Sequence, residues 1–128
     1  MSIPAINVAF NGYNNILKKS WRRGELPEVT HGFYGDELTQ DNLSLEHLEC
    51  KSKGGTLDIA NTVLTSKNKN NWRGTKPLKD VVDVEIAKRY LAQFKDVVIK
   101  GFDGNRYIYL VKKTLTRLGV DLNIKVVL

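Results

Sequence analysis

The sequence predicts an α+β fold in a single domain spanning residues 1–128. Three observations carry that expectation. Residues 42–48 alternate, with Leu43, Leu45 and His47 on one side and Ser44, Glu46 and Leu48 on the other, the period of a strand. Residues 59–65 are apolar and β-branched enough for a second strand. Stretches at 11–23, 83–95 and 105–118 repeat apolar residues at helical intervals. A chain of this length buries about two-thirds of its unfolded surface, so it needs no staple.

In chain order, residues 1–10 read as an irregular arm. Residues 11–23 form a first helix through Tyr13, Ile16, Leu17 and Trp21, closed by Gly24. Its last turn is crowded with Lys18, Lys19, Arg22 and Arg23, which suit the negative end of the helix dipole and are also placed to meet phosphates. Residues 29–34 form a short extended piece carrying His31, more often a packed or surface histidine than a ligand. Gly35-Asp36 turns the chain. The strand at 42–48 follows, then a polar, glycine-bearing loop at 49–58 and the strand at 59–65. Ser66 is placed to cap a short helix at 67–73 that Gly74 and Pro77 end. Asp83 caps the next helix, with Val84, Ala87, Leu91 and Phe94 at helical spacing, and 97–99 reads as a strand. Asp103-Gly104 suits either a hairpin turn or a helix start. Tyr107, Val111, Leu115 and Leu118 keep helical spacing and Gly119 suits the C′ position, so the helix is preferred.

The net charge is +6, with 20 Lys and Arg against 14 Asp and Glu. Between Lys51 and Asp80 there are seven Lys or Arg and two acids, so that segment alone supplies +5. A local basic excess suits a polyanion. No apolar run reaches the length of a bilayer span. The N-terminus lacks the basic start and apolar stretch of a signal peptide. A single cysteine, Cys50, forms neither an internal disulfide nor a multi-cysteine zinc site. A cytoplasmic setting is expected.

The segment 43–77 holds a carboxylate beside a histidine, Glu46-His47, then Gly54-Gly55, then Asn61 and Asn70 nine residues apart, then Arg73-Gly74. In order and spacing this resembles the HNH endonucleases, whose site is a ββα-metal unit, and the small stand-alone form is similar to phage-encoded or mobile-element members, homing endonucleases among them. The resemblance covers 35 of 128 residues. It implies a ββα-metal core at 43–77 flanked by helices at 11–23 and 83–118. It also implies a metal-dependent endonuclease, cytoplasmic in a host cell if phage-encoded, that nicks or cleaves double-stranded DNA. His47 would be the general base. Glu46 and Asn70 would hold one Mg²⁺ or Mn²⁺ ion through oxygen, and Asn61 would position the loop and the histidine. Lys51, Lys53, Lys67, Lys69, Arg73 and Lys76 would contact phosphates. Trp72 would pack the helix or press on a groove. The flanking helices would brace the unit and lengthen the DNA contact or form a homodimer.

Three positions depart from the family pattern: Glu46 stands for the usual Asp, Cys50 for a proline, and Asn70 for a frequent His. The cysteine pairs that bind zinc in many members are absent. Packing of Phe33, Tyr34 and Leu38 would have to take their place. Asn68 or Asn71 are alternatives to Asn70, but only Asn70 has an arginine three residues on. A catalytically inactive DNA-binding module of the same fold is the alternative function.

Overall fold

Asn15 lies in extended backbone and its side chain accepts a hydrogen bond from the Leu17 amide, which starts the first helix, α1 (Ile16–Arg22). The structure, a computed structural model, describes residues 15–123. The arm expected at 1–10 and the first residues of the expected 11–23 helix lie outside them. Gly24, at φ 76°, ends α1 in the left-handed region. Leu17 is buried, and the Trp21 indole donates to the Val29 carbonyl at 2.6 Å.

Strand β1 (Leu43–His47) pairs antiparallel with β2 (Thr62–Ser66), in a register that sets Leu45 opposite Leu64 and His47 opposite Thr62. The second strand begins three residues later than the sequence suggests, because Ile59–Asn61 winds into one 3-10 turn. A short helix, α2 (Lys67–Arg73), follows directly, capped by Ser66 Oγ, which accepts from the Lys69 amide at 3.1 Å. Helix α3 (Val84–Ala92) starts at Asp83, whose side chain accepts from the Ile86 amide. Strands β3 (Val98–Ile99) and β4 (Phe102–Asp103) make a small hairpin. Asp103 then caps α4 (Gly104–Arg117), accepting from the Asn105 and Arg106 amides, so the helical alternative holds at this position. Gly119, at φ 86°, lies just beyond its end. Four helices and two small antiparallel sheets make the described residues α+β. No helix among them is long and apolar enough to cross a membrane.

Strand β2 is buried along its whole length. Among the described residues no third strand lies beside it, and its outward backbone groups find partners elsewhere. The Leu64 amide donates to the Tyr90 hydroxyl at 2.9 Å, and the Tyr107 hydroxyl donates to the Thr62 carbonyl at 2.8 Å. The two hydroxyls are 2.9 Å apart, and since Tyr107 spends its proton on Thr62, Tyr90 donates to Tyr107. The Phe33 amide donates to Leu64 O at 2.9 Å. One aromatic cluster supports this arrangement: the Phe94 ring lies 5.2 Å from Tyr90 and 4.8 Å from Tyr107, both edge-on. Burial pushes both tyrosine hydroxyls well above the ordinary value of 10.0, so they stay protonated. Tyr107→Phe removes one donor and one acceptor from this closed chain. It is expected to cost about 1–3 kcal/mol, seen as a lower urea midpoint, and an unchanged midpoint would show that the edge needs no cap.

Candidate functional site

The expected site residues fall on the β1–β2 hairpin, on α2 and, for Lys76, just beyond it. His47 is the last residue of β1 and half-buried. Its ring makes no hydrogen bond among the described residues. Burial, then the charges of Lys51 and Arg73, hold its pKa below the ordinary 6.5, so the imidazole is neutral at pH 7. With the folded value depressed, the neutral ring adds stability above 6.5 that is lost as pH falls through the folded value. Ring titration of the protein by NMR is expected to give a His47 midpoint under 6.5, and Lys51→Gln is expected to raise it. A midpoint above 6.5 would mean that the ring is not held in this environment.

Asn61, buried at the end of the 3-10 turn, fastens the loop that follows His47. Its Oδ1 accepts from the Glu49 amide at 2.9 Å, and its Nδ2 donates to the carbonyls of Glu49 at 3.2 Å and Thr56 at 2.8 Å. Its own carbonyl accepts from the Leu48 amide at 2.8 Å. One side chain thus pins both ends of the loop. The glycine pair makes the loop tight enough. Gly54 sits at φ 92°, and a Cβ at Gly55 would run into the Glu49 carbonyl.

Helix α2 lies against β1 through Asn70 and Arg73, one turn apart on a single face. Asn70 Nδ2 donates to Ser44 Oγ at 2.9 Å and Leu45 O at 3.0 Å, which leaves Oδ1 as its uncommitted atom. Asn68 and Asn71 are exposed, so Asn70 alone of the three is turned onto the strand.

Arg73 differs most from its expected place. Rather than facing phosphates it is 2% exposed, and each of its three nitrogens donates to a backbone carbonyl. Nη1 donates to His47 O at 2.6 Å, Nη2 to Leu48 O at 2.9 Å and Nε to Lys76 O at 2.9 Å. Nη1 also lies 3.6 Å from Glu46 Oε2. A planar fork with fixed donors suits this cluster of carbonyls and one carboxylate.

Glu46 is 4% exposed, and its Oε2 accepts from the Tyr34 hydroxyl at 2.8 Å. Burial raises its carboxyl above the usual 4.5, against the pull of Tyr34 and Arg73. Burial and the Glu46 charge in turn push the Tyr34 hydroxyl up, keeping it a donor. The Tyr34 ring stands edge-on to Phe33 at 5.2 Å and to Trp72 at 5.6 Å. Phe33 and Leu38 are buried, so packing holds this region.

Mg²⁺ or Mn²⁺ suits the chemistry of Glu46 and Asn70, which are hard oxygen donors. They make a partial shell only. Among the described residues no group of three or more His, Cys, Asp or Glu could hold a metal, and the Glu46 carboxylate is already engaged by a guanidinium and a phenol. Water and a phosphate oxygen would have to complete the coordination.

Lys51, Lys53, Lys67 and Lys76 are exposed and Lys69 half-buried. Trp72, 45% exposed, lies between two of them, with Lys69 Nζ 4.9 Å and Lys76 Nζ 4.8 Å from its ring centre. Lys18 on α1 joins this surface, its pKa lowered by burial and then by the charges of Arg22 and Lys67. His31 is exposed, with Nδ1 2.9 Å from Thr30 Oγ1, and bonds to none of the site residues. Tyr34, expected only to pack the region, also holds the Glu46 carboxylate, a role that the sequence did not single out. Comparison with protein-family models, curated proteins and solved structures finds no match for this chain.

Proposed function

We propose that this chain is an HNH endonuclease that hydrolyses phosphodiester bonds in double-stranded DNA with one Mg²⁺ or Mn²⁺ ion. One observation supports the reading most. Separate stretches of the 43–77 segment are fastened around one histidine: Glu46 beside it, Asn61 tying down the loop after it, and Asn70 laid over its strand. A strand pair followed by a helix is also the order that the ββα-metal core requires.

Hydrolysis at neutral pH needs a water deprotonated, charge on the phosphate offset and a leaving 3′ oxygen stabilised. His47 takes the proton of the attacking water on a ring nitrogen, which its depressed pKa leaves free at pH 7. The water oxygen bonds to phosphorus as the bond to the 3′ oxygen breaks. Arg73 holds the His47 carbonyl and Asn61 the loop beyond, so the ring is presented from fixed backbone. Lys51 and Lys53 stand on that loop and draw the phosphate backbone towards it. Glu46 and Asn70 would hold the ion, which when bound supplies Lewis-acid stabilisation of the phosphate and the leaving oxygen.

A second reading has its own support. The engagement of Glu46 by Arg73 and Tyr34 favours a DNA-binding module that has the fold and lacks turnover. Relaxation of supercoiled plasmid with Mg²⁺, Mn²⁺ or EDTA separates the two. Metal-dependent nicking by the wild type, absent in His47→Ala, carries the endonuclease reading. DNA binding by both proteins with cleavage by neither would replace it with the second.

A further inference from the structure

Helix α4 carries Arg106, Lys112, Lys113 and Arg117 and no acidic residue over its 14 positions. All four cations are exposed, as are Tyr109 and Thr116 among them. Tyr109 is 59% exposed, with Lys113 Nζ 5.6 Å from its ring centre. Arg106, Lys112 and Lys113 form no ion pair among the described residues. The helix is fixed to the candidate site: Thr114 Oγ1 donates to the Ala60 carbonyl at 2.6 Å, next to Asn61, and Arg117 lies 3.3 Å from Glu49, two residues beyond His47. An open groove lined by Lys53, Lys79 and Arg117 joins the loop after His47 to the C-terminal end of α4.

We infer that the exposed face of α4 is a second anchor for duplex DNA, holding the phosphate backbone of the same molecule that His47 engages. The inference rests on the proposed function for its ligand and adds where that ligand runs. From Arg106 to Arg117 the helix advances about 17 Å at 1.5 Å per residue. A duplex carries about one charge per 1.7 Å, so about ten phosphate charges lie along that length. Four cations, three of them without an ion pair among the described residues, complement such a partner. Against a second copy they do not, because a two-fold interface would set this face against itself. Tyr109, amid the cations, adds an apolar contact for a sugar.

Arg106→Gln/Lys112→Gln/Lys113→Gln tests this by fluorescence anisotropy on a labelled duplex across a salt series. EDTA is present, so that binding is read without cleavage. The replaced side chains are exposed, and an unchanged melting temperature shows the fold intact. The variant is expected to bind at least tenfold more weakly at 100 mM salt, with a log–log salt slope less steep by about two to three, since each phosphate contact contributes about 0.9. Wild-type affinity and slope in the triple variant, with weakened binding by Lys51→Gln/Lys53→Gln, would overturn the anchor and leave the endonuclease reading standing. The converse pattern, α4-dependent binding by a wild type that never cleaves, would uphold the anchor and remove the catalysis. A wild-type dimer in sedimentation that the triple variant dissociates would reassign the face to a second copy. A wild type that binds no duplex would overturn both proposals.

Discussion

Arg73→Ala is expected to destabilise the protein by about 3–5 kcal/mol, the cost of removing one partner from a buried ion pair. Among the described residues the guanidinium is the only group shared by Glu46 and the carbonyls of His47, Leu48 and Lys76. Its loss leaves an uncompensated buried carboxylate and three carbonyls short of a donor. The opposite replacement, Glu46→Gln, should cost about 1 kcal/mol or less, because Arg73 keeps its three carbonyl acceptors and the amide can still accept from Tyr34. This asymmetry follows from the Glu46 pKa. A carboxyl raised by burial contributes stability below its unfolded value of 4.5 that is lost as pH rises through the folded value. Burial therefore costs this group more than Tyr34 and Arg73 return. Without Arg73 the folded value rises further, so the deficit of Arg73→Ala should be largest near pH 7 and shrink towards pH 4.5. Urea melts at the two pH values decide the matter: equal costs for Arg73→Ala and Glu46→Gln would refute the arrangement.

His47→Ala is expected to lower plasmid nicking by about 10²–10⁴-fold, the range for loss of a general base, with duplex affinity changed by about twofold or less. The imidazole is half-buried and hydrogen-bonds to nothing among the described residues, so its removal leaves no polar group stranded. Its backbone carbonyl, which Arg73 holds, survives the change. Stability should therefore hardly move while cleavage collapses, the reverse of Arg73→Ala. Undiminished nicking by His47→Ala would end the assignment of this residue as the base.

Local chemistry made much of this architecture readable in the sequence. Ser66, Asp83 and Asp103 each cap the helix that they precede, and Gly119 ends the last one. Those are interactions within a few residues, which pattern reports well. The first turn of the expected second strand failed because Ile59–Asn61, β-branched in part, closes a 3-10 turn that delivers Asn61 to the loop. Arg73 was misplaced for a different reason. In a basic segment an arginine reads as surface, and nothing local shows that four acceptors lie waiting 3 to 27 residues away. Helical geometry did contain the signal, since a residue three after Asn70 must share its face. If Asn70 meets β1, so does Arg73. Tyr34 offered no comparable cue. Its hydroxyl reaches Glu46 across 12 residues of chain by a path that no periodicity marks.

The tyrosine hydroxyls on one side of the hairpin and the Asn70 and Arg73 side chains on the other have a joint consequence. A two-stranded ribbon ordinarily offers outward amides and carbonyls on which a further chain can add itself as a strand. Here Thr62 O, Leu64 N and Leu64 O are taken along one border, and Leu45 O and His47 O along the other. An extended peptide would meet carbonyls already engaged on both borders beside His47. That favours recognition through side chains, by charge and shape, and the same groups that hold the histidine in place oppose self-templated growth of the ribbon into aggregates.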